Sequence, residues 1–249
     1  METPVTASET PRSVLITGGA TGIGLGIAEA FLGAGDRVAI TTHASPVPEQ
    51  LAGQVIAERM DVTDSAEVTA TVDRLGEALG GRIDVLVNNA GGLVARQALE
   101  TAEDAHWHRV IELNLSSVFY VVRAALPRMA AGGRIVNISS LAGHNGGGTG
   151  SGAYAAAKAG VEGLTRALAK ELGPRGIAVS AVAPGLILDT PFHERFTPEA
   201  DQQATIAATP LRRAGVPADV AATTLYLASE PGGFASGTTV AVNGAAAFH

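Results

Sequence analysis

The 249-residue sequence contains no cysteine, which removes disulfide frameworks, thiolate metal sites and a cysteine nucleophile at once. Charged residues make up only 16% of it beside 46% apolar residues, a balance that argues against a disordered chain. Positive charge is scarce as well. With 17 basic against 24 acidic residues and a formal net charge of −7, the chain is poorly suited to nucleic acid or an anionic membrane surface. The first apolar run, 14–16, is far too short to span a bilayer, and the polar stretch 1–13 has no apolar centre of the kind a secretory leader needs. The expectation is a cytoplasmic protein whose partner is a small molecule. No residue set has the pattern of a metal site.

What is present is apolar residue, 46% of the chain, in short β-branched runs separated by longer helical patterns. Runs at 14–16, 38–42, 55–57, 83–87, 134–138, 177–181 and 239–242 read as strands. Most intervening segments are long enough for a crossover helix, which parallel strands require, and right-handed crossovers place helices on both sheet faces. The fold class is therefore α/β, a single-domain, doubly wound Rossmann-type protein with a seven-stranded parallel sheet. Residues 1–12 read as a polar tail and 13–249 as one catalytic domain. The segment of about 186–210 breaks the alternation and, with Phe192, Phe196, Pro191 and Pro198, reads as a lid over a pocket.

Directly after the first strand comes Thr17-Gly18-Gly19-Ala20-Thr21-Gly22-Ile23-Gly24, leading into a helical pattern. Glycines permit a tight turn and close backbone approach to a pyrophosphate, and a helix N-terminus supplies unpaired N–H groups with a favourable dipole. Farther along, Tyr154 and Lys158 lie four apart on a helical stretch, so both side chains leave the same face. A phenol titrates near pKa ~10, and a neighbouring ammonium favours its anion, so the pair reads as an acid/base tuned toward the operating pH.

The spacing of the glycine loop, Asn88-Asn89-Ala90-Gly91 after the fourth strand, Asn114 in Leu113-Asn114-Leu115, Ser140 after Asn137-Ile138-Ser139, the Tyr154/Lys158 pair and Pro184-Gly185 after the sixth strand occur in one order along the chain. In that combination the sequence resembles the short-chain dehydrogenase/reductase superfamily, over essentially everything beyond Ser13. The resemblance implies a nicotinamide-dependent oxidoreductase with Tyr154 as proton donor, Lys158 on the nicotinamide ribose, Ser140 on the substrate oxygen and Asn114 holding a water in a proton relay. Ser139 is a rival to Ser140, because the loop to Tyr154 is one residue longer than in similar sequences. The cofactor is expected on Gly18, Thr21, Gly22, Ile23, Thr42, His43, Asp61, Val62, Asn88, Ala90, Gly91, Tyr154, Lys158, Pro184, Gly185 and Ile187. The resemblance also implies pairing into a homodimer or homotetramer through helices around Tyr154, with Ala155, Ala159 and Gly163 as a small-residue face.

At the end of the second strand an acid would bind a ribose 2′-hydroxyl and an arginine a 2′-phosphate. The sequence has Thr41-Thr42-His43 there: the missing acid, the small polar groups and His43 favour NADP(H) over NAD(H), against the lack of an arginine at His43 and of a base at Thr21. The substrate end is expected to include Leu93, Val94, His144, Asn145, Leu186, Ile187, Phe192, His193 and Phe196, an apolar mouth. His144 and His193 orient a polar substrate or, more simply, are solvated loop side chains. Several segments are similar to the 3-oxoacyl-(acyl-carrier-protein) reductases and polyketide ketoreductases. Val242-Asn243-Gly244-Ala245 departs from the tail usual in the former, and Arg96 alone is a thin basic surface for an acidic carrier. The reading is a ketoreductase of a bulky apolar or aromatic ketone. The alternatives are a 3-oxoacyl-(acyl-carrier-protein) reductase, an NAD-dependent alcohol dehydrogenase, a lyase or epimerase on the same scaffold, and a non-catalytic nucleotide sensor.

Overall fold

In the computed structural model, residues 11–248 are described. The expected tail over 1–12 lies almost wholly outside the described residues. Its last member, Arg12, is fastened: the guanidinium pairs with Asp36 at 2.6 Å and donates to the carbonyl of Ala228 at 2.8 Å.

The elements follow in chain order as β1 (Ser13–Ile16), α1 (Gly22–Gly33), β2 (Arg37–Thr42), β3 (Ile56–Arg59), α2 (Ser65–Ala78), β4 (Val85–Asn88), α3 (Asp104–Ile111), α4 (Ser117–Ala125), β5 (Arg134–Ile138), α5 (Ala142–Asn145), α6 (Gly152–Leu172), β6 (Ala178–Pro184), α7 (Pro191–Phe196), α8 (Glu199–Ala208), α9 (Pro217–Leu227) and β7 (Thr239–Val242). All seven strands pair in parallel in the order β3-β2-β1-β4-β5-β6-β7. The chain reverses its direction of travel across the sheet between β1 and β4, the switch point at which open α/β sheets bind ligands.

Side-chain alternation along the strands builds the two outer layers. Leu15, Leu86, Ile135 and Val179 point to one face and pack with Val72 of α2, Val121 of α4 and Val161 of α6. Their neighbours Val14, Ile16, Val87, Val136 and Val182 point to the other, against Ile27 and Phe31 of α1 and Val220 of α9. Burial on both faces is what turned the strands into continuous apolar runs in the sequence. The helical stretch 104–128 is long and apolar enough, with a mean hydropathy of 1.3, to cross a membrane. It packs on the sheet instead, with Val110, Val118, Val121 and Val122 fully or almost fully buried.

Local chemistry sets the helix ends near the site. Asp64 caps α2 by accepting from the backbone N–H groups of Ala66 and Glu67. Thr190 accepts from His193 N–H ahead of Pro191, which occupies the first turn of α7 at no hydrogen-bond cost. At α1 the residue before the helix, Thr21, makes no side-chain cap, so the first N–H groups of that helix stay available to a ligand. Between α3 and α4 the helix widens into a π-helical stretch, Glu112–Ser116, a feature often found at functional sites.

Candidate active site

A cavity of about 600 Å³ opens at the carboxyl ends of the strands. One end lies among the glycine loop, Thr42, His43, Asp61 and Val62, and the other among Ser140, Tyr154, Lys158 and, from α7, Phe192, His193 and Phe196. Of the residues expected to hold a cofactor, all but Asn88 line this cavity. Asn88 points to the opposite face of β4, fully buried, and donates to Asn137 Oδ1 at 2.8 Å. Strand alternation assigns the exposed role to Asn89, which the sequence reading passed over. Its amide donates to the carbonyls of Thr17 and Gly18, both at 3.0 Å, and so ties the end of β4 to the glycine loop.

The glycines meet real constraints. Gly18 sits at φ +67°, a region that L side chains rarely adopt. A side chain at Gly24 would collide with the carbonyl of Gly18, so helix and loop close tightly together. This cradle, the uncapped start of α1 and the length of the cavity fit a dinucleotide.

At the reacting end Tyr154 and Lys158 stand one turn apart on α6, both more than nine-tenths buried, with Lys158 Nζ 5.6 Å from the phenol ring centre. Lys158 Nζ donates to the carbonyl of Ile138 at 2.9 Å, which spends one of its donors and leaves the others. Burial holds the phenol of Tyr154 well above its usual range, at about 12, and a hydrogen bond with Ser140 only partly offsets this. Burial likewise drives Lys158 down to about 8. Against the expectation that the ammonium draws the phenol toward neutrality, desolvation of the phenolate sets the direction and the offsetting influence comes from Ser140. Tyr154 is thus a phenol, ready to donate.

The choice between the two serines follows from geometry. Ser140 faces Tyr154, and its Oγ also accepts from the N–H of Ala142 at 3.1 Å. Ser139 also borders the cavity, but its hydroxyl turns away to the carbonyl of Lys158 and to Glu162.

Asn114 does not reach the cavity with its side chain. It is fully buried; its amide donates to the carbonyls of Gly92 (2.8 Å) and Val110 (2.9 Å), and its Oδ1 accepts from Gly92 N–H (2.9 Å). With its polar atoms so engaged, the side chain fixes the loop after β4. A Cβ at Gly91 would lie 2.7 Å from Asn114 Oδ1 and 3.4 Å from Lys158 Nζ, which explains why that position has no side chain.

The expected substrate end is only partly assembled. Ile187, Phe192, His193 and Phe196 line the cavity, whereas Leu93, Val94, His144, Asn145 and Leu186 do not. Leu93 and Val94 instead form the backing of Tyr154, with Val94 at φ +65°, a strained value for a β-branched residue. Phe192 stacks obliquely 5.8 Å from the Tyr154 ring and edge-on to Phe196 at 5.5 Å. Neither histidine is a free solvated side chain. His193 Nδ1 lies 2.9 Å from Thr197 Oγ1, and burial lowers the ring to about 4, so it is neutral at pH 7. His144 pairs with Glu162 at 2.8 Å.

Thr190, Arg109 and Arg195 also line the cavity and were not anticipated. Thr190 is brought over the glycine loop, against Gly22, by an irregular stretch in which Asp189 has φ +59°. Nothing in residue spacing reveals such a bend. Arg109 comes from α3, 48 positions beyond Asp61 on the same cavity wall, and proximity between residues that distant in sequence leaves no local signal.

Comparison with known proteins agrees with this site. The family described as "Enoyl-(Acyl carrier protein) reductase" matches residues 18–245. The 3-oxoacyl-(acyl-carrier-protein) reductase of Pseudomonas aeruginosa is 38% identical over 94% of this chain and 96% of its own length. A (2S)-((R)-hydroxy(phenyl)methyl)succinyl-CoA dehydrogenase subunit of Thauera aromatica is 40% identical over 94% of this chain and 95% of its own. A short-chain dehydrogenase from Burkholderia cenocepacia, solved in complex with NADP, superposes with a TM-score of 0.86 at 33% identity, covering 94% of this chain and 97% of that one. With the cavity, the loop and the paired tyrosine and lysine in place, the chain belongs to the short-chain dehydrogenase/reductase superfamily, in the branch that includes the 3-oxoacyl-(acyl-carrier-protein) reductases, and is a pyridine-nucleotide-dependent oxidoreductase.

Proposed function

We propose that the chain is an NADP(H)-dependent ketoreductase acting on a ketone with a bulky apolar or aromatic body, with Tyr154 as proton donor. The observation that carries the substrate class is the aromatic wall of the reacting end, where Phe192 and Phe196 adjoin Tyr154. A flat apolar substrate gains from stacking there, and a small polar one would leave the wall exposed. The name of the phenyl-bearing thioester dehydrogenase of Thauera aromatica points the same way. A second reading, reduction of 3-oxoacyl groups on a carrier protein, is favoured by the names of several relatives and fits the site equally well.

In either case the residues divide the work alike. Gly18, Thr21, Gly22 and Ile23 offer backbone to the pyrophosphate, Asp61 and Val62 border the adenine, and Lys158 uses its remaining donors on the nicotinamide ribose. When bound in reduced form, the nicotinamide supplies the hydride for the carbonyl carbon. Ser140 donates to the carbonyl oxygen and stabilises the charge that grows there, and Tyr154 delivers its proton to that same oxygen, completing a secondary alcohol. The nearby ammonium of Lys158 stabilises the phenolate left behind. The lid of about 186–210 excludes water from this end.

NADP(H) is favoured because no acid stands at Thr42 to repel a 2′-phosphate. His43 is next to it, although Asp61 at 3.8 Å competes for that ring. Pairing into a homodimer or homotetramer rests on the half-exposed Trp107 and Phe119 of α3 and α4 and on Gly163, above which a side chain would meet open space. A cytoplasmic location belongs to the same reading. Consumption of NADPH and of NADH, each against a decalone, a polycyclic quinone-type ketone, a 3-oxoacyl thioester and an enoyl thioester, tests the proposal. NADPH-dependent turnover of the cyclic ketones supports it. Turnover of the 3-oxoacyl thioester alone replaces it with the second reading, and cofactor binding with no turnover of any kind overturns both.

A further inference from the structure

Glu162 is a carboxylate with no part in the chemistry above, yet its side chain is only 6% exposed. It lies on α6 one turn beyond Lys158 and two beyond Tyr154, on the same helix face. Its Oε1 accepts from Ser139 Oγ at 2.8 Å and lies 2.8 Å from His144 Nε2, whose side chain is 19% exposed. Ser139 Oγ also approaches the carbonyl of Lys158 at 3.1 Å. Between the two, Gly143 presses on α6 so closely that a Cβ there would come within 3.0 Å of Ala159 N and 3.3 Å of Glu162 Oε1. One carboxylate therefore grips the loop at Ser139 and again at His144, on either side of Ser140, whose hydroxyl meets Tyr154.

We infer that Glu162 is a positioning residue: with Ser139 and His144 it clamps the serine loop to the helix that carries Tyr154 and Lys158, and thereby sets the Ser140–Tyr154 contact. This rests on the ketoreductase reading above. The sequence makes the clamp intelligible, since a buried carboxylate is costly unless it is hydrogen bonded, and here the loop supplies the partners in Ser139 Oγ and His144 Nε2. A shift of the order of 1 Å at the reacting end is enough to lower a rate ~100-fold. The pyrophosphate and adenine ends of the dinucleotide lie among Gly18, Thr21, Gly22, Asp61 and Val62, none of which the clamp touches.

The test is a double-mutant cycle between Glu162→Leu and Ser140→Ala, with Glu162→Gln as the conservative control, because glutamine keeps an Oε1 that accepts from both partners. Expected is a fall in kcat of ~10–100-fold for Glu162→Leu, with the Kd for NADPH within about twofold of the parent, substantial recovery in Glu162→Gln, and less than a twofold further loss when Glu162→Leu is added to Ser140→Ala. Additive losses in the cycle, or a parallel loss of NADPH affinity, would overturn the inference while leaving the ketoreductase reading intact. Hydrogen exchange of segment 139–146 needs no substrate. It should quicken in Glu162→Leu and stay near the parent rate in Glu162→Gln, and unchanged protection in Glu162→Leu would equally refute the clamp, even if no ketone on the panel is reduced.

Discussion

The two ends of the cavity are built on opposite plans. The nucleotide end is made of backbone and small side chains at the surface, with Gly18, Thr21, Gly22, Thr42 and the exposed His43, and its one carboxylate, Asp61, is held below the usual range mainly by hydrogen bonds from Thr63. The reacting end is made of buried side chains, and there burial dominates: Tyr154 is driven up to about 12 and Lys158 down to about 8. The contrast teaches where binding and chemistry are separable. Backbone donors recognise phosphate without titrating. A proton-transfer pair must be removed from water to hold its protons in the required order.

Removing the proposed proton donor should have the largest effect. Tyr154→Phe is expected to lower ketone turnover ~10²–10⁴-fold, the span that general acid catalysis covers, measured as steady-state NADPH oxidation. The pH dependence sharpens the same contrast. Below about 8 Lys158 is charged and Tyr154 protonated, so kcat/KM for reduction is level; above it the ammonium is lost and kcat/KM falls up to ~10-fold per unit. Stability moves the other way. Lys158 has its folded pKa below its ordinary value, so the unfolded chain binds more protons between about 8 and 10.5 and unfolding becomes harder as pH rises through that window. Chemical denaturation at a series of pH values should show this rise in the parent and lose it in Lys158→Met. The smallest effect belongs to the nucleotide end. Thr42→Asp should weaken NADPH about tenfold by repulsion of the 2′-phosphate and leave NADH little changed, read as the ratio of the two Kd values.

Much of the nucleotide end and the tyrosine–lysine pair could be read from the chain, because each consists of residues adjacent in sequence or one helical turn apart. Runs such as Val14–Ile16 and Ile135–Ile138 announced buried parallel strands for the same reason. The reading faltered where one residue decides a direction. Asn88 and Asn89 are neighbours in sequence and opposites in space, and only strand registration assigns one to the core and the other to the loop. It faltered again where burial sets the electrostatics, since a tyrosine beside a lysine looks activated until the desolvation of both is known. Thr190, Arg109 and the Glu162 grip on the serine loop come from segments that meet only in the fold.

The central claim is that Tyr154 carries proton transfer without carrying the affinity for the dinucleotide. It is tested most directly by titrating NADPH fluorescence with the parent and with Tyr154→Phe side by side. The account predicts dissociation constants within about twofold of one another despite the collapse in turnover. A loss of NADPH affinity that parallels the loss of rate would contradict it, and would make Tyr154 a binding residue whose removal dismantles the site rather than its chemistry.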